Sequence, residues 1–500
     1  MHQFTISLLI LLLGGHYVSA QQPVYQCTFE DQPAQVTAKG ISGKALNLEA
    51  SAPSRKIMQV PYALKGYKGS FTVMCWAKAA KTAQNSYAIL EAVSGKEDTQ
   101  KGWTIGLQAN GAWYWKIMQG NQTYEYQPTV QRQSIKDDKW HLLAFSYDTA
   151  KMECSMYYDG QQVAIYYTPG ISGVQEAATL DIGGRKQGDL EQWEAFNGCV
   201  DEVGLYQSAL SAEQIQQACT KYMPTKKRPP LQAGNQLKVM NFNIYHGGNE
   251  TGKEVGPQRV VDVIRQSGAD IVSMQETYGS GAVIADALGY YFYLRGSNLS
   301  IMSKYPIVET LPGEHPFYNG GARIKLNAQK EIAFYTNWLN YPFDYWDMLE
   351  KGQSFSTDSM LQQMEAVNGS KLRQILDKIS PVVDRADQLP VIFCGDFNSG
   401  SHLDWVESTR HLNGGHVAAF PAGKLMMAAG FKDSFREVHP DPLKERGITW
   451  TPQFPNAFQD RIDYIYYKGK LQPLQSFTIT THPAHYPSDH AALVTTFRIL

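Results

Sequence analysis

The stretch Thr220 to Gln236, TKYMPTKKRPPLQAGNQ, has three prolines, a basic cluster at Lys226, Lys227 and Arg228, and no periodic apolar pattern. Proline fixes φ and offers no backbone donor, so such a segment propagates neither helix nor sheet. It reads as a linker over residues 223–236, its basic cluster a solvated part of it. The chain has 500 residues, too many for one ordinary domain of roughly 100–200 residues. The linker divides them into two parts with different hydrophobic rhythms.

Before the linker, short segments alternate apolar and polar side chains: Phe71–Ala77, Trp103–Leu107, Trp113–Ile117, His141–Tyr147 and Met156–Tyr158. They are rich in aromatic and β-branched residues, and Asp159-Gly160 is a tight-turn signal between two of them. Many short strands with regular turns predict an all-β sandwich. Only Ser211–Ala218 has a helical pattern, with Ser211 as N-cap and Glu213 in the first turn.

Composition bounds the partners. The 45 Lys and Arg against 47 Asp and Glu give a net charge of −2, and 18% of residues are charged. These values exclude a disordered scaffold, a multi-span membrane protein and a broadly basic nucleic-acid coat. Ile6–Leu13 is an apolar run followed by Val18-Ser19-Ala20. It is too short to span a bilayer, which takes about 20 apolar residues. Residues 1–20 are therefore expected to be a signal peptide, which makes the product secreted, periplasmic or displayed at the cell surface. Five of the six cysteines precede the linker, an odd number that permits at most two disulfides there; Cys27 and Cys219 are placed to clip its ends together.

The segments Asp138–Asp148 (DKWHLLAFSYD), Met156–Val163 (MYYDGQQV) and Asp181–Ile215, with FNGCVDEVGLYQSALSAEQI, resemble the laminin-G/concanavalin A-like jelly roll. The resemblance implies a β-sandwich over residues 21–222 that binds glycans or surface proteins, sometimes with Ca2+. Trp103, Trp113, Trp115 and Trp193 are either sugar-stacking platforms or core.

After the linker, strands and helices mix. Leu237–Ile244, Ala269–Glu276, Pro390–Cys394, Ile462–Tyr467 and Ala491–Ile499 read as strands, and Pro257–Ser267 and Asp358–Ile379 as helices. One layered α/β domain over residues 237–500 follows. Polar residues recur where its strands meet loops: Asn243, Glu276 after Gln275, Asp396 and Asn398 in Gly395-Asp396-Phe397-Asn398, Asp463, and Asp489-His490. A hard cation such as Mg2+ or Mn2+ takes oxygen ligands, and Asn243 and Glu276 suit it. Asp396 suits a base or water-orienting group, with Asn398 beside it, and Asp463 is a partner for the His490 ring.

In that order, N-x-N-I, Q-E, G-D-F-N, R-I-D-Y and S-D-H resemble the motifs of the endonuclease/exonuclease/phosphatase superfamily. The resemblance implies a deoxyribonuclease I-like four-layer α/β sandwich acting as a metal-dependent phosphoesterase. It implies Asn243, Glu276 and Asp489 at the metal, and Asp396, Asn398, Asp463 and His490 around the attacked phosphate. One departure stands out: Trp338, in Tyr335–Asn340, occupies the place of a phosphate-binding His. Asn337 or His246 is expected to supply the missing donor, and Arg461 either approaches phosphate or braces the sheet. No Lys/Arg-rich stripe flanks the motifs, so nucleic acid is one substrate beside phospholipid, inositol phosphate and other esters. The competing expectation is a glycan-binding surface protein whose hydrolase domain is inactive.

Overall fold

Nearly every residue of Phe71–Ala79, His141–Asp148 and Gly198–Tyr206 is buried, because the sheet they form is covered on both faces. One face carries Val73, Cys75, Leu143 and Phe145 into the sandwich core. The other carries Met74, Trp76, Leu142 and Ala144 under the helix Ala212–Tyr222. That helix starts with a capping box: the Gln214 N–H donates to Ser211 Oγ, and the Ser211 N–H donates to Gln214 Oε1. The second sheet runs Met58–Pro61, Thr179–Ile182, Tyr87–Ser94, Lys101–Leu107, Trp113–Gln119, Gln122–Tyr126. The protein is described by a computed structural model over residues 22–54, 57–186, 193–224 and 231–500. The signal-peptide segment, the basic linker cluster and the Trp193 side chain lie outside the described residues.

Two expectations for this half are settled by burial. Trp103, Trp113 and Trp115 are fully buried, and Trp103 and Trp113 donate to Tyr62 Oη (2.9 Å) and Gln133 Oε1 (2.7 Å). They are core, not sugar platforms. The disulfide expectation is corrected, since no disulfide joins any of the six cysteines, all of them described residues. Cys27 packs against the sandwich core, and Cys219 belongs to the helix on the opposite face of the same sheet, so the sheet itself separates them. Burial pushes the Cys75 and Cys154 thiols well above their ordinary value.

The second half is a four-layer α/β sandwich. One sheet contains Tyr291–Leu294, Ser300–Ser303, Ile271–Gln275, Gln236–Asn243, Ala492–Ile499 and Leu471–Ile479. The other contains Ile307–Leu311, Asn319–Lys325, Glu331–Trp338, Val391–Asp396, Asp463–Lys468 and Lys432–Asp433. Leu237, Val239, Ile271, Phe334, Ile392, Ile465 and Leu493 meet between them. Helix Val255–Ser267 covers the first sheet, and Ser370–Val383 and Pro421–Ala428 cover the second.

The halves are not tethered modules. Strand Gln161–Tyr167 of the jelly roll pairs in parallel with Tyr291–Leu294, Ala164 opposite Phe292 and Tyr166 opposite Leu294, so one sheet runs through both domains. Beside this seam, buried Asp286 accepts from the Thr129 N–H (2.9 Å), the Thr129 hydroxyl (2.5 Å) and Gln133 Nε2 (2.7 Å). The Arg295 guanidinium lies 4.2 Å from the Tyr167 ring centroid.

Candidate active site

Side chains alternate across a strand, so a strand that buries apolar residues at one end of a sheet interface projects its next same-face residues into the other end. Leu237 and Val239 face the space between the sheets, and Asn241 and Asn243 continue that face; Ile271 is followed likewise by Ser273 and Gln275. From the facing sheet, Ile392 and Cys394 lead to Asp396, Phe334 to Thr336 and Trp338, and Asp463 precedes Ile465. The apolar interlayer thus ends in a polar cluster at one edge.

Asn243 is its centre. Its Nδ2 donates to Glu276 Oε1 (3.2 Å) and Asp396 Oδ2 (3.1 Å) and stands 3.4 Å from His490 Nε2. Asn398 braces Asp396 twice, from its backbone N–H to Oδ1 (2.8 Å) and from Nδ2 to Oδ2 (3.1 Å). The His490 Nδ1 bonds Asp463 Oδ2 at 2.8 Å, while Asn241 Nδ2 donates to Asp463 Oδ1 (3.1 Å). Ser488 Oγ links the last loop to Asn243, donating to its carbonyl (2.6 Å) and accepting from the His490 N–H (3.0 Å). Trp450 Nε1 donates to Asp489 Oδ2 (3.3 Å). Asn241, Ser488 and Trp450 were not singled out in the sequence. The N-x-N spacing held the signal for Asn241; Trp450 lies 39 positions from Asp489 and had none.

Backbone strain gathers at the same place. Among described residues of the second half, the non-glycines with positive φ are Tyr245, His246, Glu276, Tyr278 and Asn398. Each belongs to a loop leaving a strand that ends at the cluster. Such conformations cost on the order of 1 kcal/mol or more each and persist where surrounding structure imposes them.

Electrostatics follow from burial. Burial raises the Asp396 carboxyl to about 8, with Asp463 nearby adding to the shift against the pull of His490. Burial opposes charge on His490, but Asp463, Asp489 and Asp396 outweigh it and hold the imidazole well above its ordinary value. Burial, then the Glu276 charge, keeps Asp489 above the usual carboxylate range despite His490. Four acidic side chains therefore surround one imidazolium, and burial favours the protonated form of Asp396 and Asp489, the mark of a cluster short of positive charge.

That shortage, and one orphaned atom, test the fit of a divalent cation. Asp396, Asp463 and His490 hold their ligating atoms within 4.8 Å of one another, but a proton already bridges His490 and Asp463. On the other side, Asp489 Oδ1 is buried without a hydrogen-bond partner. Glu276 and Asp489 offer carboxylate oxygens that suit a hard cation such as Mg2+ or Mn2+, whereas the Asn243 oxygen accepts from the Tyr245 N–H (3.1 Å). Among the described residues no comparable grouping of ligating side chains lies in the jelly roll.

Three sequence candidates fall elsewhere. His246 is at the exposed rim: its backbone N–H donates to Glu276 Oε2 (2.9 Å), and its Nδ1 meets Glu250 Oε1 (2.7 Å), a bond that raises its pKa. Asn337 is corrected. Alternation turns it away from the interlayer, next to Tyr335, and its amide is spent on the Tyr318 carbonyl (3.1 Å) and the Trp338 N–H (3.3 Å). Arg461 is corrected too. Only 1% exposed, it is bound to Asp404 (2.7 Å) and Asp433 (2.8 Å), and Asp404 also pairs with Arg436. It braces the sheet. Arg461→Met strands these carboxylates and is expected to cost about 3–5 kcal/mol of stability. Thermal unfolding should show the loss, with turnover per folded molecule retained; a collapse of turnover at unchanged Tm would return Arg461 to the substrate.

A four-layer α/β sandwich with a carboxylate–histidine cluster at one edge of the interlayer defines a deoxyribonuclease I-like domain. Residues 240–490 match the endonuclease/exonuclease/phosphatase family, and residues 56–216 match the concanavalin A-like lectin/glucanase superfamily. The chain belongs to the endonuclease/exonuclease/phosphatase family. It is 27% identical over 295 residues to the uncharacterized protein F14F9.5 of Caenorhabditis elegans, covering 52% of this chain and 90% of that one. Among solved structures, an AP endonuclease from Archaeoglobus fulgidus matches at 21% identity and TM-score 0.38, over 52% of this chain and 98% of its own. Truncated TDP2 of Caenorhabditis elegans matches at 18% identity and TM-score 0.36, over 53% and 98%.

Proposed function

We propose that the chain is an exported, divalent-metal-dependent phosphoesterase that cleaves phosphodiesters by attack of water on phosphorus, with the jelly roll as a glycan- or protein-binding face. The observation that carries this reading is the convergence of Glu276, Asp396 and His490 on Asn243, with Asp489 Oδ1 4.0 Å from His490 Nε2. Glu276 and Asp489, beside Asn243, would hold a divalent cation, which would supply charge neutralisation for the phosphate. Asp396, held by Asn243 and Asn398, orients water and takes its proton as the new P–O bond forms. His490, kept imidazolium by Asp463, donates to a non-bridging oxygen as charge develops there. His246 at the rim is placed to protonate the departing oxygen when the old P–O bond breaks.

The test is a chromogenic phosphodiester with Mg2+ or Mn2+. Exhaustive chelation with EDTA should abolish turnover, and an unchanged rate would overturn the metal role. A cation held nearby also favours the ionised form of Asp396, whose carboxyl burial raises to about 8. Apparent Mn2+ affinity should therefore rise by up to about tenfold per pH unit and level off above about 8. Calorimetric titrations between pH 6 and 9 read this directly.

A further inference from the structure

We infer that the substrate, on the hydrolase reading above, is a phosphodiester with a single negative charge and a flat aromatic substituent, gripped by Trp338. The alternation that turns Asn337 away places Trp338 on the interlayer face with Phe334 and Thr336. In the neighbouring parallel strand its register partner is Asp396, so the indole stands beside the proposed base. It is half-buried, with Phe317 against it edge-on (5.3 Å, 81°) and Tyr318 stacked behind (6.3 Å, 29°).

The wall is tied to the cluster. Buried Asn298 accepts from the Glu276 N–H (2.9 Å) and donates to the Phe317 carbonyl (3.0 Å), so one side chain sets both carboxylate and aromatic wall. Near Glu276 the rim is aromatic as well: Tyr245 stacks on His246 (4.6 Å), and Tyr278, 42% exposed, is 6.1 Å from that ring. A partly exposed, braced indole gains by covering its face with another flat apolar group.

Charge sets the other limit. Among the described residues, the ion pairs of Glu276, Asp396, Asp463 and Asp489 are with His246 and His490 alone, none with Lys or Arg. Lys371 sits 4.8 Å from the Tyr318 ring, but its ammonium is paired with Glu314 (3.2 Å). A polyanion would bring repeated negative charge to a carboxylate-rich cluster whose ion-pair partners, among the described residues, are histidines. One phosphate charge is all that the site is built to neutralise.

The test compares p-nitrophenyl phenyl phosphate with p-nitrophenyl methyl phosphate in Mn2+, which share a leaving group and differ only in the substituent that stays. With each kcat/KM divided by its uncatalysed rate, the wild type should favour the phenyl ester by about tenfold or more. The preference should lie mainly in KM, because the group does not react. Trp338→Ala should bring the ratio to within about twofold, and Trp338→Leu, which keeps bulk without the flat face, should do likewise. Trp338→Phe should retain a preference. Equal rates for the two esters in the wild type, or a preference that survives both Ala and Leu, overturns the inference while leaving the hydrolase reading intact. No turnover of either ester overturns both.

Discussion

Asp396→Asn should lower kcat on a chromogenic phosphodiester by about 10^3-fold and leave the fold intact. Asparagine keeps the shape and the backbone contact to Asn398 but accepts no proton from water. Its own amide hydrogens would also face the Asn243 and Asn398 amides that now donate to the carboxylate. Stability should move the other way. The Asp396 pKa is raised on folding, so its ionisation opposes the folded state, and the penalty grows as pH climbs from about 4 toward about 8. In EDTA above pH 8 the Asn variant should therefore melt no lower than the wild type. Matched kcat in variant and wild type would remove Asp396 from the chemistry; a large fall in Tm would show that it serves the fold.

A fragment spanning residues 237–500 should fail to behave as a stable monomer, although it contains every residue of the proposed site. Removing the jelly roll strips strand Tyr291–Leu294 of its parallel partner and leaves an open edge, a template for association between copies. It uncovers Phe292, which packs against Tyr166, and the Tyr167 face of Arg295 is lost. Gel filtration should find aggregates, or calorimetry a Tm lower by more than about 10 °C, while the full chain unfolds in one cooperative step. A gentler version is Asp286→Ala in the full chain. It removes the acceptor of the Thr129 N–H and of one of the two Gln133 amide hydrogens in a buried seam, at a cost of about 2–4 kcal/mol. A monomeric fragment with the Tm of the full chain would show that the seam is incidental.

The two corrections at the site share a cause. Asn337 and Trp338 are neighbours in sequence, and nothing in their order tells which faces the interlayer cluster. The alternation of Ile332, Phe334 and Thr336 into the interlayer settles it for Trp338. Arg461 stands two residues before Asp463, and its charge suggested phosphate. Its partners Asp404 and Asp433 come from elsewhere in the chain, and two buried carboxylates are a stronger claim on a guanidinium than an intermittent substrate. The cysteines misled in the same manner, since their count says nothing of which face of a sheet each one occupies.

The sequence by itself determined the two hydrophobic rhythms, the break between them, and the positions at which polar residues interrupt apolar strands. These are local properties: alternation and turn chemistry act over a few residues, and the spacing of Asn243, Glu276, Asp396, Asp463 and His490 at strand ends is visible along the chain. Tertiary structure decided which ends meet, which side of each strand faces the cluster, and that one sheet passes from the first domain into the second. Strand pairing at Gln161–Tyr167 and Tyr291–Leu294 is made by backbone amides that every residue carries. No side-chain pattern marks it, and only the packing of the whole molecule brings those two edges together.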